Sequence, residues 1–325
     1  MPSPLPFCEL HLHIEGTLEP ATIFELAARH GATLRDATPD ELAARYDFAN
    51  LQGFLDLYYE NMGVLRTEDD FAHLAEAYFL RAHRAGVAHV ELFVDPQAHT
   101  ARGVPAATVL RGLDRAARAA EERLGITSGI IACVLRDEPV ASAQRMLDEV
   151  LDAGVPLLGI GLDSAEVGHP PRLFRDVFAR AADAGLRRVA HAGEEGPADY
   201  IREALDELGA ERIDHGVRAL DDAALVERLA RERIPLTLCP LSNVRLRVVD
   251  DVARLPFRTL LEAGLVVTVN SDDPAYFGGY LDDNVAALRN AFALTDDEVR
   301  LLARNSVEAS FASDARRDEL LRQLT

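Results

Sequence analysis

The chain of 325 residues contains no lysine; all 34 of its basic side chains are arginine. Chemistry that needs a lysine amine is therefore excluded: Schiff bases, pyridoxal phosphate anchoring, the P-loop lysine and a carbamylated lysine bridging two metals. Basic charge is scarce in total as well. Fifty-four acidic residues against 34 basic ones give −20, a field that repels phosphate backbones, so no nucleic-acid partner is expected. Cysteine is limited to Cys8, Cys133 and Cys239, widely spaced and each in an apolar run, which predicts buried free thiols. No apolar run approaches the roughly 18 residues of a bilayer span, and Met1–Glu9 carries no basic segment leading into an apolar one. The expectation is a cytoplasmic protein with no membrane partner.

Against these absences stands a regular alternation of apolar, strand-length runs with amphipathic helical patterns. Strands are predicted at Phe7–His13, Ala88–Val94, Ser128–Leu135, Pro156–Leu162, Arg187–His191, Arg212–His215, Pro235–Cys239 and Leu265–Asn270. Eight strands alternating with helices imply a parallel sheet, and eight is the number that closes a (β/α)8 TIM-type barrel. The rival, a doubly wound open sheet, lacks a GxGxxG after any early strand. The rhythm breaks once: about 74 residues separate His13 from the second strand. We read the helical patterns Pro20–His30, Pro39–Tyr46 and Leu51–Val64 as a helical cap inserted after strand one, at approximately residues 17–66. Glu68–Ala85 then serves as the barrel helix, and Thr295–Asn305 and Asp314–Leu324 are extra C-terminal helices. With no linker and no internal repeat, residues 1–325 are expected to form one domain.

Chemistry-bearing residues gather at strand ends. In Phe7-Cys-Glu-Leu-His11-Leu-His13, alternation puts His11 and His13 on one face, within reach of a single ion. The pair alone could equally be two solvent-facing histidines. His191-Ala-Gly-Glu194 ends the fifth strand, Arg212-Ile-Asp-His215-Gly the sixth, and Asn270-Ser-Asp272-Asp273-Pro274 the eighth. In a barrel the C-terminal strand ends form the mouth where sites are built. Nitrogen and oxygen donors without clustered cysteine suit a catalytic zinc or similar divalent ion.

Together HLHxEG, HAGE, RIDHG and NSDDP resemble the adenosine deaminase family of metal-dependent barrels. Glu15-Gly-Thr-Leu-Glu-Pro20, Asp163-Ser-Ala-Glu-Val-Gly-His-Pro-Pro171, Cys239-Pro-Leu-Ser-Asn243 and Asp272-Asp-Pro-Ala-Tyr-Phe-Gly-Gly279 resemble its adenine deaminase branch. The resemblance implies that His11, His13, His191 and Asp272 hold one zinc ion, which lowers the pKa of water to about 7. It implies that His215 orients the attacking water and handles its proton, that Glu194 protonates purine N1, and that Asp273 hydrogen-bonds N7. Gly193 would leave room for the flat ring. In the nucleoside deaminases of the family Glu15 aligns with an Asp near the ribose 5′-hydroxyl and Glu166 with a Gly close to purine N3, so the resemblance implies that both longer acids close the pocket to ribose. One of them could accept N9–H of the free base.

The implied function is zinc-dependent hydrolytic deamination of adenine to hypoxanthine and ammonia, in purine salvage. Adenosine, an N6-substituted adenine or aminodeoxyfutalosine keep the chemistry and change the substrate; a non-catalytic metal-bound protein is a distant alternative. The expected partner is a small-molecule purine, and a homo-oligomer stays open. His89-Val-Glu91 matches half of a second deaminase signature, but its PCxxC partner is absent. His99 lies just past the second strand and His169 in a loop. Phe54, Leu55, Tyr58 and Tyr59 could cover the purine or pack as ordinary core.

Overall fold

A computed structural model describes residues 5–325. Eight parallel strands follow one another around the sheet in sequence order: β1 Phe7–His13, β2 Val87–Val94, β3 Thr127–Leu135, β4 Gly159–Asp163, β5 Arg187–Ala192, β6 Arg212–His215, β7 Pro235–Leu238 and β8 Val266–Val269. The (β/α)8 expectation holds, with helices between the strands. The fourth strand starts three residues later than the sequence pattern suggests, beyond Pro156.

The β8–β1 seam is closed by residues past the end of β8. The Asn270 side chain accepts the Leu10 N–H at 2.8 Å. His13 N donates to Asp272 O at 3.1 Å and Asp272 N to His11 O at 3.1 Å. The helix Asp296–Ala309 covers the seam: Ser306 Oγ accepts from Cys8 N at 3.0 Å, and Asn305 donates to Val267 O at 2.9 Å.

Period-two alternation sorts each strand. In β1, Cys8, Leu10 and Leu12 are fully buried, the two leucines in the main apolar core, while Glu9, His11 and His13 lie on the opposite face. Inside the barrel Phe93 of β2 packs its ring 5.1 Å from that of His11, 5.2 Å from His13 and 5.7 Å from His191, forming an apolar floor. Gly161 keeps this interior compact, since a Cβ there would sit 2.6 Å from Cys133 Sγ. All three cysteines are buried and free.

Between β1 and β2 come α1 Pro20–Arg29, α2 Pro39–Ala43 and α3 Leu51–Asn61, then α4 Glu68–Ala85. A capping box of Thr67 and Asp70 starts α4, and left-handed Gly86 (φ 82°) ends it. The sequence reading missed the helix Leu281–Phe292. It also missed three short helices, Pro96–Thr100, Pro240–Arg245 and Pro274–Phe277, each opening with proline within five residues of a strand end. Among the described residues no helix is long and apolar enough to cross a membrane.

Candidate active site

Three imidazoles and a carboxylate converge at the mouth. His11, His13, His191 and Asp272 each offer a ligand atom, and these atoms lie within 4.8 Å of one another. His13 Nε2 is 3.1 Å from His191 Nε2 and 3.5 Å from Asp272 Oδ1, and His11 Nε2 is 3.3 Å from the same oxygen. β1 supplies two imidazoles because residues two apart share a face. Asp272 lies three residues past the end of β8 in left-handed conformation (φ 64°), and His215 at the tip of β6 does likewise (φ 63°). That backbone turn is how Asp272 and Asp273, adjacent in sequence, both line the cavity; a continuing strand would face them apart.

The opposite ring nitrogens fix the tautomers. Thr237 Oγ1 donates to Asp214 Oδ1 at 3.0 Å, so it accepts from His11 Nδ1 at 2.9 Å. His191 Nδ1 faces Asp214 Oδ2 at 3.5 Å, and His13 Nδ1 faces Asp163 Oδ2 at 3.6 Å. With Nδ1 toward an acceptor in all three rings, the Nε2 lone pairs point at one another. His11 Nε2 is buried without a hydrogen-bond partner. Converging lone pairs with no proton between them are repulsive in the absence of a cation, so the donor set fits a divalent metal ion. Burial pushes Asp214 up, but the hydrogen bond from His191 and the positive groups around it, Arg212 among them, outweigh it and hold this carboxyl well below the usual range. Asp214, Asp163 and Thr237 went unassigned in the sequence reading. Their signal was a polar side chain facing inward within an otherwise apolar strand.

A cavity of about 400 Å³ opens beside these ligands, with Glu194, His215, Asp273, Asp95 and Asp163 in its wall. Leu51, Phe54, Leu55, Tyr58 and Tyr59 of α3 cover it together with Leu246 and Phe277, so the cap aromatics do face the site. Burial, then the charges of Asp272, Glu166 and Glu195, raise the Glu194 carboxyl well above its ordinary value. Burial, then the charge and hydrogen bond of Asp272, do the same to Asp273. Burial and neighbouring acids thus favour the protonated form of both. His215 Nε2 lies 3.6 Å from Glu194 Oε2 and 3.8 Å from Asp272 Oδ2. Gly16 packs directly on the Asp273 carboxyl, where any side chain would collide.

Three expected pocket residues have other partners. Glu166 accepts four backbone N–H groups, from Gly193 at 2.6 Å, Glu194 at 3.1 Å, Glu195 at 2.9 Å and Gly196 at 2.7 Å, pinning the turn that carries Glu194. Gly193 has φ 73°, and a Cβ there would sit 2.6 Å from Ile201 Cδ1, so the turn itself requires glycine. Glu15 Oε1 accepts from Asp95 N at 3.1 Å and meets His99 Nε2 at 2.8 Å. None of the three is among the residues in the cavity wall. His99 supports Glu15 from beneath and His169 holds its own loop, Nδ1 to Ala165 O at 2.9 Å.

The family model described as Adenosine deaminase matches residues 6–325. The chain belongs to the adenosine deaminase family. It is 60% identical over 319 residues to the adenine deaminase of Streptomyces coelicolor, covering 98% of this chain and 93% of that one. The crystal structure of adenine deaminase from Arthrobacter aurescens superposes with TM-score 0.97 at 54% identity, covering 98% of both chains. An amidohydrolase structure from Burkholderia ambifaria with bound zinc matches with TM-score 0.88 at 27% identity, covering 98% of this chain and 92% of that one.

Proposed function

We propose that this chain hydrolyses adenine to hypoxanthine and ammonia. The observation that carries the reading is the pair of buried acids, Glu194 beyond the end of β5 and Asp273 beyond the end of β8, in the wall of one small cavity, where burial raises both carboxyls. A purine presents acceptors at N1 and N7 on opposite edges, with the reacting C6 between them. The relatives named adenine deaminase support the same choice of substrate.

In this proposal His11, His13, His191 and Asp272 hold one zinc ion, which when bound supplies Lewis-acid activation of water at neutral pH. His215 stands beside the ligand Asp272 and takes the proton of the water that adds to C6. Glu194 delivers its proton to N1, which makes C6 electrophilic and offsets the loss of aromatic stabilisation as oxygen adds there. Asp273 donates to N7 and holds the ring in register. The tetrahedral C6 carbon then carries both oxygen and nitrogen; a proton moves to the amino group and ammonia leaves, so adenine and water become hypoxanthine and ammonia. The cap residues of α3 exclude bulk water, which keeps Glu194 protonated until it is used.

The test is ammonia release by zinc-loaded protein from adenine, adenosine and aminodeoxyfutalosine, with Glu194→Gln as the blank. Adenine should be turned over at least about 10³-fold better than adenosine. A preference for either nucleoside would overturn the assignment of substrate.

A further inference from the structure

We infer that Asp95 reads the N9–H of the free base and thereby sets the preference for a nucleobase over its nucleoside, a role that rests on the adenine reading above. Asp95 is the residue directly after β2, and its carboxyl lies in the cavity wall although the residue is only 2% exposed. Its Oδ1 is buried without any hydrogen-bond partner. An acceptor oxygen left unsatisfied in a buried cavity wall is costly unless a ligand donor meets it.

The order of the strands says which donor that is. With C6 at the metal ligands, N1 toward Glu194 on β5 and N7 toward Asp273 on β8, the rest of the purine perimeter faces β4, β3, β2 and β1. Going round from N1, the ring presents C2, N3, C4, N9, C8 and then N7. N3 therefore faces the end of β4, where Ser164 Oγ lies 3.1 Å from Tyr59 Oη, and N9 faces the ends of β2 and β1. N9 carries a proton in free adenine and a sugar in adenosine. It is the one ring donor on that arc.

Asp95 is also held as a recognition group would be. Its backbone repeats that of Asp273: φ −104° and ψ 77° against φ −111° and ψ 75°, each followed by the proline that opens a short helix. The two residues thus share one backbone setting, Asp273 at the N7 end of the arc and Asp95 within it, after β2. Glu15 fixes the Asp95 amide at 3.1 Å, and His99, itself 2.5 Å from Arg102 Nη2, fixes Glu15. Asp163, hydrogen-bonded to Asp95, is the alternative acceptor in the wall, but it faces His13 Nδ1. Glu15 therefore shapes selectivity through Asp95 rather than by touching the base.

The decisive probe is 7-aminothiazolo[5,4-d]pyrimidine, an adenine analogue of nearly the same size in which sulfur replaces N9–H and N7 is kept. Zinc-loaded wild-type protein should favour adenine over it by at least about 100-fold in kcat/KM. In Asp95→Ala that ratio should fall to about fivefold or less, through loss on adenine rather than gain on the analogue. Asp95→Ser, which shortens the acceptor's reach, is the second variant and should collapse the ratio in the same way. Because the ratio compares two substrates on one protein, a general loss of activity leaves it unmoved. A wild-type ratio near one, or a ratio kept in both variants, overturns the role of Asp95 while leaving adenine deamination standing. Failure of the wild type to release ammonia from adenine overturns both.

Discussion

Two groups of buried charge lie in the same barrel and are treated in opposite ways. Toward its N-terminal end, Glu91 and Arg212 are both fully buried and joined at 2.6 Å. Arg212 also donates to Leu10 O at 3.0 Å and Glu91 accepts from Phe311 N at 2.5 Å. Burial alone would raise Glu91, yet the Arg212 charge, His89 and the Phe311 N–H together outweigh it and lower the carboxyl. At the mouth Glu194, Asp95, Asp163 and Asp273 are as deeply buried, and among the described residues no arginine pairs with any of them. Their carboxyls are all raised, first by burial and in Asp95, Glu194 and Asp273 next by neighbouring acids. A charge that finds its partner inside the chain serves the fold; an acid left without one holds a proton or a lone pair for a ligand.

The sharpest way to separate the two groups is to neutralise one member of each. Glu194→Gln removes the N1 proton donor and should lower kcat on adenine by about 10³-fold or more, roughly 4 kcal/mol of barrel-mouth chemistry. Its pH dependence has a definite sign. The protonated form is the active one, so wild-type kcat/KM should fall as pH rises through the raised Glu194 value, a limb lying above the ordinary carboxylate range. Arg212→Met leaves Glu91 buried and unpaired and should destabilise the fold by about 3–5 kcal/mol, measured by denaturant unfolding. Adding Glu91→Leu should recover most of that loss, and neither change should alter the adenine-to-adenosine ratio.

Smaller effects are expected one layer out. Asp214→Asn removes the negative charge facing His191 Nδ1 and loosens Thr237, the acceptor of His11, and should weaken zinc binding about 10–100-fold, read by chelator competition. Glu166→Gln cannot accept four N–H groups as a carboxylate does. It should lower kcat about tenfold by loosening the Glu194 turn, while KM for adenine moves little. A change confined to KM would instead place Glu166 against the substrate.

Much of this was legible in the sequence because barrel strands keep a strict period. The eight strands, the inserted helices and the gathering of His and Asp side chains from strands one, five, six and eight follow from alternation and from strand ends sharing one mouth; the choice of His11, His13, His191 and Asp272 among them came from the family resemblance. Direction beyond a strand end is another matter. Nothing in Glu166 or Glu15 announces that one turns to a neighbouring loop's amides and the other to His99, since a loop carboxylate goes wherever N–H groups are free. Asp95 was overlooked although Asp95-Pro96 repeats the Asp273-Pro274 pattern, because the strand end before it, Leu92-Phe93-Val94, carries no histidine. The α3 aromatics could not be told from core by spacing, because the same helical face serves both.

The most direct single measurement is thermal unfolding and adenine turnover on the same zinc-loaded preparation of Glu194→Gln. If unpaired acids at the mouth serve chemistry rather than the fold, the variant unfolds at the wild-type temperature or above it while turnover falls about 10³-fold or more. An unfolding temperature several degrees below wild type, or turnover within tenfold of it, would contradict that division of labour.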